Sequence, residues 1–141
     1  MSLTNALHIA TVVHYDIVDK GGFPFIGHPL RVMAELSRKG FNEYILEAAI
    51  LHDVVEDTDM TLDDLKEAGI HFKVVNLVDL MTRQEGSTYA EYIQRIKHSE
   101  GYAVDIKIAD IYDNLHPSRT TSVSHKLRPR YLKALAILEA D

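Results

Sequence analysis

The sequence predicts an all-α fold, a single helical bundle of about seven or eight helices. Apolar residues recur with the helical period in most segments of the chain. No strand with a visible partner interrupts that pattern, and no linker rich in Pro, Gly or Ser divides the chain. A length of 141 residues suits one compact domain, so we expect residues 1–141 to fold together.

The first part of the chain predicts three helices. Pro29 suits the first position of the second, which we expect to end near Lys39, just before Gly40. Asn42 can cap the third, which runs through a strongly apolar segment into acidic residues. The first should end at the glycine pair 21–22, and its apolar face consists of Leu7, Ala10, His14 and Ile17.

The remainder of the chain also predicts helices. Thr61 opens a sequence that resembles a capping box, and Gly69 ends the short helix that follows. Apolar stripes indicate further helices over 74–81, 91–98 and 128–139. Residues 104–108 alternate like a strand, but we predict a helix there because a longer set falls at helical spacing. That set is Val104, Ile108, Ile111 and Leu115.

Composition excludes several classes of function. The absence of cysteine rules out a disulfide framework, a zinc–thiolate finger and a cysteine nucleophile. The formal net charge of −6 argues against a protein that coats nucleic acid, and no apolar run is long enough to cross a bilayer. We therefore expect a cytoplasmic protein without nucleic-acid or membrane partners. Eight histidines point towards histidine–carboxylate chemistry.

The densest polar cluster lies where the third predicted helix ends. Its members are His52, Asp53, Glu56 and Asp57. Helical spacing places these side chains at one polar corner. One imidazole and three carboxylates repel one another and lose hydration there unless a cation lies among them. A solvated helix end is the plain alternative for the same residues.

Two further segments bear on this cluster. The turn 22–29 brings His28 to the N-cap position of the second helix, where it could equally be a cap or a packed histidine. Lys107, Asp110 and Asn114 form a polar stripe on a predicted helix, a pattern that is usual for a solvated face. Two imidazoles and two carboxylates from these segments would suit Mn²⁺, Fe²⁺ or Zn²⁺ better than Ca²⁺ or Mg²⁺. That set is His28, His52, Asp53 and Asp110.

On these residues the sequence resembles the HD-domain metal phosphohydrolases, and within them the small stand-alone (p)ppGpp hydrolases of the RelA/SpoT type. The resemblance spans residues 7–119. Residues 22–29, GFPFIGHP, are similar to the family's G-x-P-Y-I-x-H-P turn. LHDVVEDT at 51–58 matches its L-H-D-x-x-E-D-T helix end, and KIADIYDN at 107–114 matches its K-L-A-D-x-x-x-N.

The resemblance implies a metal-dependent hydrolase that converts (p)ppGpp to GDP or GTP and pyrophosphate by removing the 3′-pyrophosphate. It implies one divalent ion, with Mn²⁺ expected and Fe²⁺ or Zn²⁺ as alternatives. The implied metal ligands are His28, His52, Asp53 and Asp110. The implied catalytic acidic pair is Glu56 and Asp57, and the implied substrate contacts are Lys20 and Asn114.

One position departs from the family pattern. Where these hydrolases place an arginine beside the nucleobase, this chain has Asp19, which offers neither a flat cation nor positive charge. A carboxylate could accept hydrogen bonds from a base instead, so we expect Asp19 to contact the substrate. Two alternatives follow: a phosphohydrolase acting on another nucleotide, and a metal- or nucleotide-binding sensor without turnover. The intact Glu56–Asp57 pair argues against the sensor.

Several residues outside these motifs have plain structural roles to weigh against functional ones. His14 lies on an apolar stripe and is expected to be packed. Tyr89 and Tyr92 are expected at the margin of the core in preference to a contact with a base. Basic residues near the end of the chain could form a rim for substrate phosphates, although scattered cations are usually only surface. These residues are Arg119, Lys126, Arg128 and Arg130.

Overall fold

The computed structural model of the chain describes residues 2–19, 21–116 and 122–141. Over these ranges the regular structure is helical, apart from an isolated antiparallel bridge between Val18 and Pro24, so the all-α prediction is confirmed. The helices are α1 (Ser2–Val13), α2 (Gly27–Arg38), α3 (Glu43–Leu51), α4 (Val54–Asp57), α5 (Leu62–Glu67), α6 (Phe72–Met81), α7 (Tyr89–His98), α8 (Tyr102–Leu115) and α9 (Ser122–Leu138).

The first helix ends earlier than predicted. α1 stops at Val13, well before the glycine pair, and the chain turns at residues 14–16. In a second turn further on, the Asp19 N–H donates to Phe23 O at 2.7 Å. Asp19 Oδ1 accepts the N–H groups of Gly21 and Phe23 at 2.9 and 3.0 Å. Short acidic side chains that bind nearby backbone in this way compete with helix formation.

The start of α2 differs from the prediction by two positions. The N-cap is Ile26 and the helix begins at Gly27, so His28 is in the first turn and not at the N-cap. The predicted first position, Pro29, is the third residue of the helix. Its missing N–H costs nothing there, because the N–H groups of a first turn have no intrahelical partner.

The central helix is α3, which packs against α1, α2, α6 and α8. Asn42 caps it as predicted, and its side chain accepts the Ile45 N–H at 3.3 Å. Helix α3 ends at Leu51, and the single turn α4 starts only at Val54. The predicted continuous helix through the acidic cluster is therefore wrong, since the chain leaves the helix at residues 52–53.

The other predicted elements are present. Thr61 forms the capping box of α5 with Asp64, and residues 104–108 belong to α8. α9 begins earlier than predicted and carries Pro129 inside it. Within the described ranges, no helix is long and apolar enough to cross a membrane. The packing of α8 against α2 and α3 brings together the segments that carry the predicted metal ligands.

Glu47 lies on the buried side of α3 and is 0% exposed. No group in the described part of the chain hydrogen-bonds to either of its carboxylate oxygens. Burial, with the nearby Glu43, raises the pKa of Glu47, because the charged form is poorly solvated. The carboxyl group thus opposes folding and is an identifiable weak point of the core.

We predict that Glu47→Met stabilises the protein. Met has a side chain of similar length and removes the unsatisfied buried carboxyl group. The free energy of unfolding should therefore rise by about 1–3 kcal/mol at neutral pH. Urea denaturation of the variant and the wild type measures this difference. Glu67→Met, at an exposed position of α5, is the matched control and should change stability by less than about 0.5 kcal/mol. A less stable Glu47→Met protein would contradict the prediction.

Candidate active site

The four predicted metal ligands meet between α2, α3 and α8. His28 lies in the first turn of α2, and Asp110 lies within α8. His52 and Asp53 form the junction between α3 and α4. One ligand atom from each side chain lies within 4.8 Å of every other. Nε2 of His28 lies 2.7 Å from Asp110 Oδ1, and Nε2 of His52 lies 3.0 Å from Asp53 Oδ2.

The outer nitrogen of each imidazole is occupied by a hydrogen bond. Nδ1 of His28 lies 2.7 Å from Asp113 Oδ2, and Nδ1 of His52 lies 2.6 Å from Ala49 O. With Nδ1 as donor in both rings, both Nε2 atoms face the two carboxylates, as in metal-ligating histidines. His52 Nε2 is buried and makes no hydrogen bond with a described residue. The residues present therefore fit a divalent metal ion.

Charge within the cluster opposes the effect of burial. Burial disfavours the imidazolium of His28, but hydrogen bonds to Asp110 and Asp113 outweigh it and raise its pKa to about 9. Burial is also overcome at His52, whose pKa lies well above its usual value because two carboxylates face it. Despite burial, Lys107 and the imidazoles hold the pKa of Asp110 well below its usual range. A divalent cation could replace the imidazolium protons that balance the carboxylate charges.

A cavity of about 720 Å³ opens beside the cluster, within the usual range for small-molecule sites. Lys107 and Asp110, expected on a polar stripe typical of a solvated face, are both buried, and Lys107 Nζ donates to Asp110 Oδ2 at 2.7 Å. The loop 82–87 also lines the cavity. Further lining side chains come from α7, α8 and α9, and they include Tyr89, Tyr92, Asn114, Arg130 and Tyr131.

The predicted acidic pair lines the same cavity from α4. Glu56 Oε1 accepts the backbone N–H of Arg83, which ties α4 to the loop 82–87. Burial raises the pKa of Glu56. Burial and the charges of Asp53 and Glu56 raise the pKa of Asp57 to about 6. A carboxylate with such a pKa suits proton transfer near neutral pH.

The predicted substrate contacts have different outcomes. Asn114 lines the cavity, and its Nδ2 donates to Asp110 Oδ1 at 3.4 Å. Lys20 lies outside the described residues. Asp19 is absent from the cavity lining, and its Oδ1 accepts two N–H groups of its own turn. The contact with a base that we expect for Asp19 stays a prediction.

Comparison with known proteins identifies relatives, although no family model matches the chain. The human guanosine-3′,5′-bis(diphosphate) 3′-pyrophosphohydrolase MESH1 is 36% identical over 105 residues, which are 69% of this chain and 57% of the human protein. A probable GTP pyrophosphokinase from Mycobacterium leprae is 34% identical over 123 residues, 81% of this chain and 15% of that protein. The chain thus spans little more than half of the human relative.

A solved structure of a metazoan ortholog of SpoT that hydrolyzes ppGpp aligns over nearly the whole chain. The TM-score is 0.81 at 27% identity, and the alignment covers 99% of this chain and 86% of the other. The chain is thus similar in sequence and in fold to RelA/SpoT-type (p)ppGpp hydrolases. The family resemblance predicted from the three motifs is therefore confirmed.

The motifs alone do not indicate several residues at the site. Arg83 belongs to no motif, and only the fold brings its loop to Glu56. Tyr89 and Tyr92 were expected at the core margin, and both also line the cavity. Tyr92 is buried, and its hydroxyl donates to Met81 O at 2.5 Å. Asp113 could have been predicted near the site, because it lies one helical turn after Asp110 and therefore on the same helix face.

The basic rim is only partly present. Arg130 lines the cavity, with its guanidinium carbon 3.7 Å from the centre of the Tyr89 ring. Lys126 and Arg128 are exposed and are absent from the lining, and Arg119 lies outside the described residues. His14 is buried as expected, with its Nδ1 hydrogen-bonded to Ala10 O at 3.1 Å.

We predict that one divalent transition-metal ion binds per chain and is lost in His52→Ala. Removing one of four ligands leaves a buried cluster with uncompensated charge, so metal content should fall steeply. Elemental analysis after dialysis measures the stoichiometry. His98→Ala, at an exposed position of α7, is the control and should retain the full equivalent. A full equivalent in His52→Ala would mean that the ligands are wrongly assigned.

We predict that Asp57→Asn stabilises the metal-free chain at neutral pH. The folded-state pKa of Asp57 is raised to about 6, so ionisation costs stability as pH rises from about 4 through 6. Partial exposure screens the charges, so the gain should not exceed about 1 kcal/mol. Thermal denaturation should show the gain near neutral pH and none near pH ~4. Asp59→Asn, at an exposed carboxylate, serves as the control, and an equal gain at both pH values would contradict the prediction.

Proposed function

We propose that this chain hydrolyses the 3′-pyrophosphate of (p)ppGpp, giving GDP or GTP and pyrophosphate. The observation that carries the proposal is the meeting of two imidazoles and two carboxylates beside a cavity that the acidic pair also lines. The proposal is supported by relatives that are named as 3′-pyrophosphohydrolases of guanosine-3′,5′-bis(diphosphate).

The proposed metal ligands are His28, His52, Asp53 and Asp110. When bound, a divalent ion supplies Lewis-acid chemistry for phosphoryl transfer. The mixed nitrogen and oxygen donors favour a transition metal over Mg²⁺. We propose Mn²⁺, with Fe²⁺ and Zn²⁺ as the alternatives that the same donors accept. We further propose that the enzyme acts in the cytoplasm, in agreement with the expectation from the sequence.

The proposed proton-handling groups are Glu56 and Asp57. Arg83 N–H fixes one oxygen of Glu56, so the other oxygen can orient a water molecule towards the substrate phosphorus. Asp57, whose pKa is about 6, is ionised near neutral pH and can take the proton of that water. The same carboxyl group can then return the proton to the leaving oxygen of the ribose.

The cavity offers groups that suit the rest of a nucleotide. Arg130 is exposed at its margin and can pair with phosphate oxygens, for which the guanidinium geometry is well suited. Asn114 can hydrogen-bond to the sugar or a phosphate. Tyr89 and Tyr131 provide aromatic surface next to Arg130. We propose these residues, with Lys20, as the substrate-binding set.

The test is a turnover assay of the Mn²⁺-loaded chain on a panel of nucleotides that includes guanosine and adenosine 3′-pyrophosphates. We expect release of pyrophosphate from the guanosine substrate. Glu56→Gln and Asp57→Asn should each lower kcat by about 10²–10⁴-fold with metal content unchanged, because each removes a proton-handling charge. Glu67→Gln, at an exposed carboxylate of α5, is the control and should match the wild type.

The outcomes separate the competing functions. If a different nucleotide is hydrolysed, the substrate assignment is wrong and the assignment as a phosphohydrolase stands. Binding without turnover of any nucleotide would favour the sensor. Wild-type rates in both acidic-pair variants would remove the proton-handling role. The same panel measured with Asp19→Ala tests the base contact, whose loss should lower kcat/KM for the preferred base about 5–150-fold.

A further inference from the structure

The imidazole of His28 has a carboxylate partner on the side facing away from the metal cluster. Nδ1 of His28 lies 2.7 Å from Asp113 Oδ2, and the Asp113 side chain is only 12% exposed. Asp113 lies on α8, one helical turn beyond Asp110, so both carboxylates reach the same ring from one helix. Asp110 is on the Nε2 side at 2.7 Å, and Asp113 is on the Nδ1 side.

Asp113 is itself held in place by Arg31. Nε of Arg31 donates to Asp113 Oδ1 at 2.8 Å, and Nη2 donates to Oδ2 at 3.3 Å. Arg31 lies on α2 one turn after His28, so two residues of α2 contact the same carboxylate of α8. A side-chain carbon at Gly27 would lie only 2.9 Å from Arg31 Nη1. The glycine therefore leaves room for the guanidinium in the orientation that this forked contact needs.

We propose that Asp113, held by Arg31, is a positioning residue that strengthens metal binding by fixing the ring of His28. A carboxylate on Nδ1–H selects the tautomer whose Nε2 lone pair faces the cluster, and it makes that nitrogen a better donor. This inference rests on the metal site of the proposed function. It adds two residues that lie outside the cluster and line no part of the cavity.

If this contact had a purely structural role, its removal would change the stability of the fold and not the metal affinity. The Arg31 side chain is 48% exposed, so its ion pair with Asp113 should contribute little to the stability of the fold. The His28 bond, in contrast, is partly buried, and it holds a proposed metal ligand. In Arg31→Ala, metal affinity should therefore change far more than the stability of the metal-free chain.

The experiment measures the Kd of the metal-free full chain for Mn²⁺ by isothermal titration calorimetry, with urea denaturation of the same samples. Asp113→Ala should raise Kd by about 10–100-fold. Asp113→Asn keeps the shape of the side chain and should raise Kd by a smaller factor. Arg31→Ala should also raise Kd, and the double variant should bind no more weakly than Asp113→Ala, because both residues act through one contact.

Matched controls come from the same helices. Asp105→Asn on α8 and Arg38→Ala on α2 remove similar charges away from the cluster and should leave Kd unchanged. A Kd within twofold of the wild type for folded Asp113→Ala and Asp113→Asn would overturn the inference and leave the proposed metal site standing. Absence of Mn²⁺ binding by the wild type would overturn the metal site, and the inference with it.

Discussion

Two imidazoles and two carboxylates share one buried point in this protein, and the surrounding structure depends on keeping them there. Such a group is costly unless each polar atom has a partner. The partners come from outside the cluster: Ala49 O and Asp113 hold the imidazoles, and Lys107 holds Asp110. The packing of α2, α3 and α8 is therefore constrained by electrostatics as well as by apolar contact.

The interruption between α3 and α4 falls at two members of the cluster. His52 and Asp53 lie at the break, and both side chains reach the cluster. Glu56 and Asp57 follow on α4 and line the cavity. The segment that follows α3 thus carries two of the proposed metal ligands and then the proposed proton-handling pair.

The helical period, the Asn42 cap and the Thr61 capping box were enough to predict the architecture, because each is a local property of the chain. The meeting of His28, His52, Asp53 and Asp110 could be expected because the three segments that carry them resemble the motifs of one family. The break at residues 52–53 and the early end of α1 could not be predicted, because the helical period continues past both points in the sequence. Arg83 was missed because only the fold brings its loop to the site.

The contact between Glu56 and the loop 82–87 uses the main chain of Arg83 and not its side chain. Every residue type except proline presents the same N–H, so natural variation at position 83 can alter the chemistry of the cavity wall without disturbing the acidic group. The guanidinium meanwhile binds Ser87 O within its own loop, at 2.8 Å from Nη2. A substitution at position 83 can therefore change what the cavity wall offers to a ligand while Glu56 is held as before.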